Sequence, residues 1–210
     1  MRLLVLGATG LVGGAALKLA LSNDAFSEVI APTRAPLANA ERLVNPVGPR
    51  LEDLLPTLML DKLDAVICAL GTTIAKAGSK EAFRYVDFEL PVLFGKASRA
   101  AGARTYVLVT AMGADANSRI FYSRTKGEVE AAIQALDFPS LTICRPSLIG
   151  GERNEARAAE KAALTLASIL SPVLPRKFRI NPAERIAASL VNAAITARPG
   201  RHWIKSDSMT

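Results

Sequence analysis

Apolar positions along this chain come in short unbroken runs, and stretches with helical spacing separate the runs. A strand covered on both faces reads as a continuous apolar run, whereas a half-exposed strand alternates. Strands are therefore predicted near 2–6, 27–31, 42–45, 64–69, 104–109, 140–144 and 202–205. Helices are predicted near 11–22, 80–101, 118–136, 155–170 and 183–197. Pro91 removes a hydrogen bond inside the second of these and is expected to break or restart it. Asn181 is expected to cap the last helix, with Pro182 in its first turn and Glu184 completing a capping box. Gly102 and Gly200 read as helix stops.

Strand and helix alternate throughout, which is the signature of an α/β protein. The expected fold is a Rossmann-like doubly wound parallel sheet in a single domain, residues 1–205. Its strand order should be 3-2-1-4-5-6, with the switch point between strands 1 and 4. Residues 206–210 are expected to fray. A length of 210 residues suits one such domain and leaves little room for a second.

Glycines sharpen this picture at the first turn. Strand 2–6 runs directly into Gly7-x-x-Gly10-x-x-Gly13 and then a helix. Gly7 permits a sharp turn, Gly10 leaves room for phosphate, and Gly13 lets the helix lie close on the sheet. The helix N-terminus then offers unpaired N–H groups and a favourable dipole to a pyrophosphate. Thr9, Leu11 and Val12 join these glycines as expected cofactor contacts. The spacing differs from Gly-x-Gly-x-x-Gly and points to single-domain short-chain reductases.

Tyr122 and Lys126 form Tyr-x-x-x-Lys, one helical turn apart on one face. The lysine can hold a nicotinamide ribose and lower the phenol's pKa, while the tyrosine exchanges a proton with substrate oxygen. With three tyrosines in the chain, such a pair also arises by chance. Its weight comes from its place after the fifth strand. That strand ends Thr110-Ala111, so alanine stands where a substrate-orienting serine is expected. Thr110 either takes that role or satisfies backbone.

After the second strand, Thr33-Arg34 stands where an acid would bind the ribose of NAD. Arg34 offers a fork for a 2′-phosphate and Thr33 a hydroxyl, which favours NADP(H) over NAD(H); the alternative is a solvated loop arginine. Leu70, Gly71 and Thr72 end the fourth strand and are expected beside the cofactor ribose, and Pro146 beside the nicotinamide. Asp53 and Glu52 are candidates for the adenine, and neither is assigned.

Several segments together resemble the atypical short-chain dehydrogenase/reductases, and more narrowly the Tat-interacting-protein type of oxidoreductase. They are the Gly7 turn, Leu70-Gly-Thr-Thr-Ile-Ala-Lys-Ala-Gly-Ser-Lys-Glu-Ala-Phe-Arg-Tyr-Val-Asp, Tyr122-Ser-Arg-Thr-Lys-Gly-Glu-Val-Glu and Arg145-Pro-Ser-Leu-Ile-Gly-Gly-Glu-Arg. The resemblance implies a Rossmann-like fold, NADP(H) and a Tyr122/Lys126 pair. It implies little about substrate, and Ala111 departs from the serine pattern.

Charge and composition exclude more than they add. The net charge is +7, with Lys and Arg clustered at 153–161 and 176–185. No nucleic-acid motif accompanies them, so nucleic acid is not expected as a partner; a solvated face that draws in an anionic cofactor is. Cys68, Cys144 and His202 lack metal-ligand spacing, and both thiols are expected to be reduced and buried. Gly7 and Gly10 interrupt the N-terminal apolar run, which argues against a signal peptide. The uncharged stretch 162–175 is shorter than the ~20 residues of a membrane span. A soluble cytoplasmic protein is expected. Its substrate is a small molecule, and the apolar segment 164–174 either lines that substrate's pocket or packs the core. The expected activity is NADP(H)-dependent reduction of a carbonyl or oxidation of an alcohol. The alternative is a non-catalytic NADPH sensor or docking module: Tyr122 with Lys126 favours the first, Ala111 the second.

Overall fold

The computed structural model describes residues 1–150 and 175–210. The expected helix 155–170, the basic segment 153–161 and the apolar segment 164–174 lie outside the described residues. The strands are β1 (Arg2–Leu6), β2 (Glu28–Ile30), β3 (Leu43–Val44), β4 (Ala65–Cys68), β5 (Thr105–Val109), β6 (Ser140–Arg145), β7 (Ile149–Gly150), β8 (Asn181–Pro182) and β9 (Gly200–Lys205). The helices are α1 (Leu11–Leu21), α2 (Ile74–Ala77), α3 (Lys80–Arg84), α4 (Leu90–Ala100), α5 (Phe121–Gln134) and α6 (Ala183–Thr196).

Seven strands form one parallel sheet in the order β3-β2-β1-β4-β5-β6-β9. The switch point falls between β1 and β4, as expected. Residues 3–6 of β1 and all of β4 are buried, which explains their unbroken apolar sequence. Alternate side chains serve opposite layers. Leu3 and Val5 join α1 and α6 in one core, while Leu4 and Leu6 join α4 and α5 in the other. Each leucine taken from water this way contributes on the order of 1.5–3 kcal/mol.

Four expectations need correction. The helix expected over 80–101 divides into α3, a π-helical turn (Tyr85–Glu89) and α4, with helical dihedrals at the junctions. Pro91 therefore restarts the hydrogen-bond ladder at the first turn of α4, where its missing N–H costs least. Asn181 does not cap α6; Pro182 precedes that helix, and no side chain caps it. Instead the buried Asn181 amide accepts from Ser147 N at 2.8 Å and donates to Ser206 O at 2.9 Å. It ties the end of β6, the start of α6 and the C-terminus together. Gly102 follows α4 at φ +94°, but α6 ends on Ala197 in the left-handed region, and Gly200 opens β9. Residues 206–210 are built into the fold, because Ser206–Ser208 form a 3-10 turn and Met209 is buried in the α1/α6 core.

Candidate functional site

The C-terminal edge of a doubly wound sheet forms a crevice at the switch point, and here the Gly7 turn opens it. Gly7 has φ +83°, and a Cβ there would lie 2.6 Å from Ala69 O on the adjacent strand end. At Gly13 a Cβ would stand 2.1 Å from Gly7 O. The fold itself demands these two glycines. Gly10 differs: it is exposed at φ −84°, and a Cβ would lie 3.2 Å from Gly7 O, tight but close to tolerable. No side chain caps α1, and its first turn holds no acid. Its unpaired N–H groups and positive dipole end thus face an open surface that a branched side chain at Gly10 would obstruct. Thr9 is exposed beside it, Leu11 is half-buried, and Val12 turns into the core. These features fit a dinucleotide pyrophosphate.

Across the crevice, β4 ends at Ala69-Leu70-Gly71-Thr72. Thr72 N donates to Asp87 Oδ2 at 2.9 Å, and Lys126 Nζ pairs with Asp87 Oδ1 at 2.7 Å. Asp87 is fully buried on the π-helical turn, and Lys126 is nearly so. Burial pushes the Asp87 carboxyl above its usual range, and the Lys126 ammonium opposes that rise. A Cβ on Gly71 would stand 3.6 Å from Lys126 Nζ, so the ammonium reaches the end of β4. One turn earlier on α5, Tyr122 is half-buried with its ring centroid 5.6 Å from that of Phe83. Tyr122, Lys126 and Gly71–Thr72 thus gather at one edge, as the sequence suggested. Asp87 was missed, although it ends the longest of the resembling segments; Glu81, Arg84 and Glu89 stand close to it in the same helical stretch, so no sequence signal set it apart.

Two expected hydroxyls are already committed. Thr110 Oγ1 donates to Glu130 Oε1 at 2.7 Å and is buried, so it does not take the missing serine's place as a donor. Thr33 Oγ1 donates to Ala35 O at 2.7 Å and accepts from Asn45 Nδ2 at 2.8 Å. A bridge from Thr33 to Val47 prolongs the β2–β3 pairing, which buries Thr33 and removes it from a phosphate fork. Arg34 alone is exposed there, with its guanidinium unpaired among the described residues. Pro146 is buried at the end of β6, and its carbonyl accepts from Met112 N at 2.7 Å. Glu52 accepts from the Tyr85 hydroxyl and from Arg50. Among the described residues, no cluster of His, Cys, Asp or Glu could hold a metal ion, and no helix is long and apolar enough to cross a membrane.

Solved structures share this architecture. MoeE5 in complex with UDP-glucose and NAD superposes with a TM-score of 0.72 at 15% identity, over 97% of this chain and 75% of that one. The human epimerase family protein SDR39U1 with NADPH gives 0.67 at 19% identity, over 96% and 72%. At these identities the likeness shows the fold alone, a Rossmann-like parallel sheet flanked by helices. No family model matches the chain. Curated relatives do. A protein of Lodderomyces elongisporus named "Protein FMP52, mitochondrial" is 39% identical over 165 residues, covering 74% of this chain and 69% of its own. Its namesake in Emericella nidulans is 36% identical over 207 residues, covering 93% and 88%. Both are named mitochondrial, and that finding overturns the expectation of a cytoplasmic protein. With these relatives at 36–39% identity, each covered over more than two thirds of its length, the chain belongs to the FMP52 family.

Proposed function

We propose that this protein is an NAD(P)(H)-dependent oxidoreductase that interconverts a carbonyl and an alcohol. The observation that carries the reading is the gathering of an uncapped, anion-accepting α1 N-terminus with Tyr122, Lys126 and Gly71 at one sheet edge. A bound nicotinamide supplies or takes a hydride at its C4. Lys126, beside Gly71, would hold the ribose of that cofactor through its ammonium. Tyr122 gives a proton to the carbonyl oxygen as hydride arrives, and takes it back in the reverse direction. Ala111 leaves substrate orientation to other groups, and Thr110 is not one of them. The motif resemblance to the Tat-interacting-protein type supports the same reading, as do neighbours solved with NAD and NADPH. The relatives' names support a mitochondrial setting.

Turnover tests it directly. NADPH and NADH oxidation is followed at the nicotinamide absorbance against a panel of aldehydes and ketones. Tyr122→Phe keeps the ring and removes the proton, so turnover should fall about 10²–10⁴-fold while the cofactor still binds. Turnover unchanged in Tyr122→Phe would remove the assignment. Absence of any turnover, with tight cofactor binding, favours the sensor reading that Ala111 supports.

For the cofactor's identity, we take NADP(H) as the preferred form. Arg34 supports it, and no acid occupies the end of β2. An Arg–phosphate fork is worth on the order of 1.5–3 kcal/mol, or about ten- to a hundred-fold in affinity. Arg34→Ala should erase that preference with NADH binding unchanged, as read by calorimetry; equal affinity of the native protein for both forms would contradict it.

A further inference from the structure

The face of α5 that carries Tyr122 and Lys126 continues one turn further to Glu130. That carboxylate is almost fully buried, yet it touches two strand ends. Thr110, just past the end of β5, donates to Oε1 at 2.7 Å. Arg145, the last residue of β6, donates from Nε to Oε1 at 2.9 Å and from its terminal nitrogen to Oε2. The bidentate fork and the threonine engage both oxygens of Glu130 in fixed directions, so they constrain both the height and the rotation of α5 over the sheet. One turn back on the same face, Lys126 is gripped by Asp87. Between the two lies Gly127, where a Cβ would stand 2.0 Å from Ala116 N; the loop after β5 packs directly on the helix backbone there. By contrast, the N-terminal end of α5 that carries Tyr122 has no side-chain cap and no acid in its first turn.

We propose that Thr110, Glu130 and Arg145 form a clamp whose function is to position the Tyr122/Lys126 face for the nicotinamide half of the cofactor. They are positioning residues, not catalytic ones. The proposal rests on the dinucleotide reading above. It gives Thr110 a role in the site after all, exercised through Glu130 and α5 instead of through the substrate. A simple structural glue would hold the domain together and affect every ligand alike. A clamp on this face should affect only what Lys126 and Tyr122 touch, because the adenylate half would sit by α1 and β2.

The test compares two ligands on one protein. The dinucleotide that the native protein binds more tightly is titrated beside its own adenylate half: 2′,5′-ADP for NADPH, AMP for NADH. Glu130→Gln keeps the shape and removes the charge that holds Arg145. It should weaken the dinucleotide about tenfold, the worth of one charged hydrogen bond, and move the adenylate half by less than about twofold. Thr110→Val, the milder change, should act in the same direction, and Thr110→Ser, which keeps the hydroxyl, should restore native affinity. Parallel weakening of both ligands, or no change in either, overturns the clamp and leaves the cofactor reading standing. The clamp also fails, with the α1 site intact, if the native protein binds the dinucleotide no tighter than its adenylate half. Native protein that binds neither ligand overturns the cofactor reading, and the clamp with it.

Discussion

Asp87 and Lys126 show at the scale of single residues how this site trades stability for placement. Two charges are taken from water into a dry contact of 2.7 Å. Burial outweighs the ammonium's pull and raises the Asp87 carboxyl above its ordinary 3.8. A carboxyl raised in the folded state favours folding below its unfolded value and opposes it as pH rises past the folded value. At neutral pH the ionised Asp87 therefore costs the fold something. Removing one partner strands the other, so Asp87→Asn alone should destabilise by about 3 kcal/mol or more. Asp87→Asn combined with Lys126→Met should be neutral or stabilising, because neither charge then needs a partner. Urea denaturation of the three proteins reads this out. A double variant clearly less stable than the native protein would show that the pair is a net asset of the fold. That Lys126 is retained at such a cost agrees with a role outside folding.

At the scale of elements, the central strands were legible in the sequence because both their faces are buried, so the apolar runs carry no ambiguity of face. The Gly7 turn was legible because two of its glycines answer steric demands that no other residue meets. The contacts between elements were not. Nothing in the spacing of Thr110 tells that its hydroxyl turns to Glu130, since the partner lies 20 residues away on a helix whose rotation is set by packing. Thr33 misled for the same reason, and so did Asn181, whose capping signature was overridden by three tertiary hydrogen bonds. The π-helical turn at Tyr85–Glu89 is likewise invisible to a period of 3.6 residues, though Pro91 marks where the ladder is disturbed. Cys68 and Cys144 are where the strand reading places them, at zero exposure on β4 and β6. Burial pushes the Cys144 thiol up to about 12 and also raises Cys68. The reactive thiolate is thus scarce at neutral pH. Neither thiol should react with a disulfide reagent at pH 8 until the protein is unfolded by denaturant, when both should react. Rapid labelling of the folded protein would contradict the packing of the central strands.

At the scale of the whole molecule, one sheet edge organises everything that bears on function. The switch point between β1 and β4 opens the crevice. The α1 terminus meets it from one layer, and α5 meets it from the other. Fold likeness extends to NAD-bound and NADPH-bound proteins at low identity, and kinship at higher identity reaches fungal proteins whose name states a compartment and no reaction. The central claim is therefore about ligand: the Gly7–Gly13 turn binds a nicotinamide dinucleotide. The position that separates ligand from fold is Gly10, because the chain itself nearly tolerates a side chain there. Calorimetric titration of NADPH into the native protein and into Gly10→Val, with their thermal midpoints compared, tests the claim most directly. Saturable binding by the native protein and its loss in Gly10→Val are expected, with the midpoints within about 2–4 °C, a shift of roughly 1 kcal/mol in a domain of this size. Native affinity retained in Gly10→Val, or no binding of NADPH or NADH by the native protein, would contradict it.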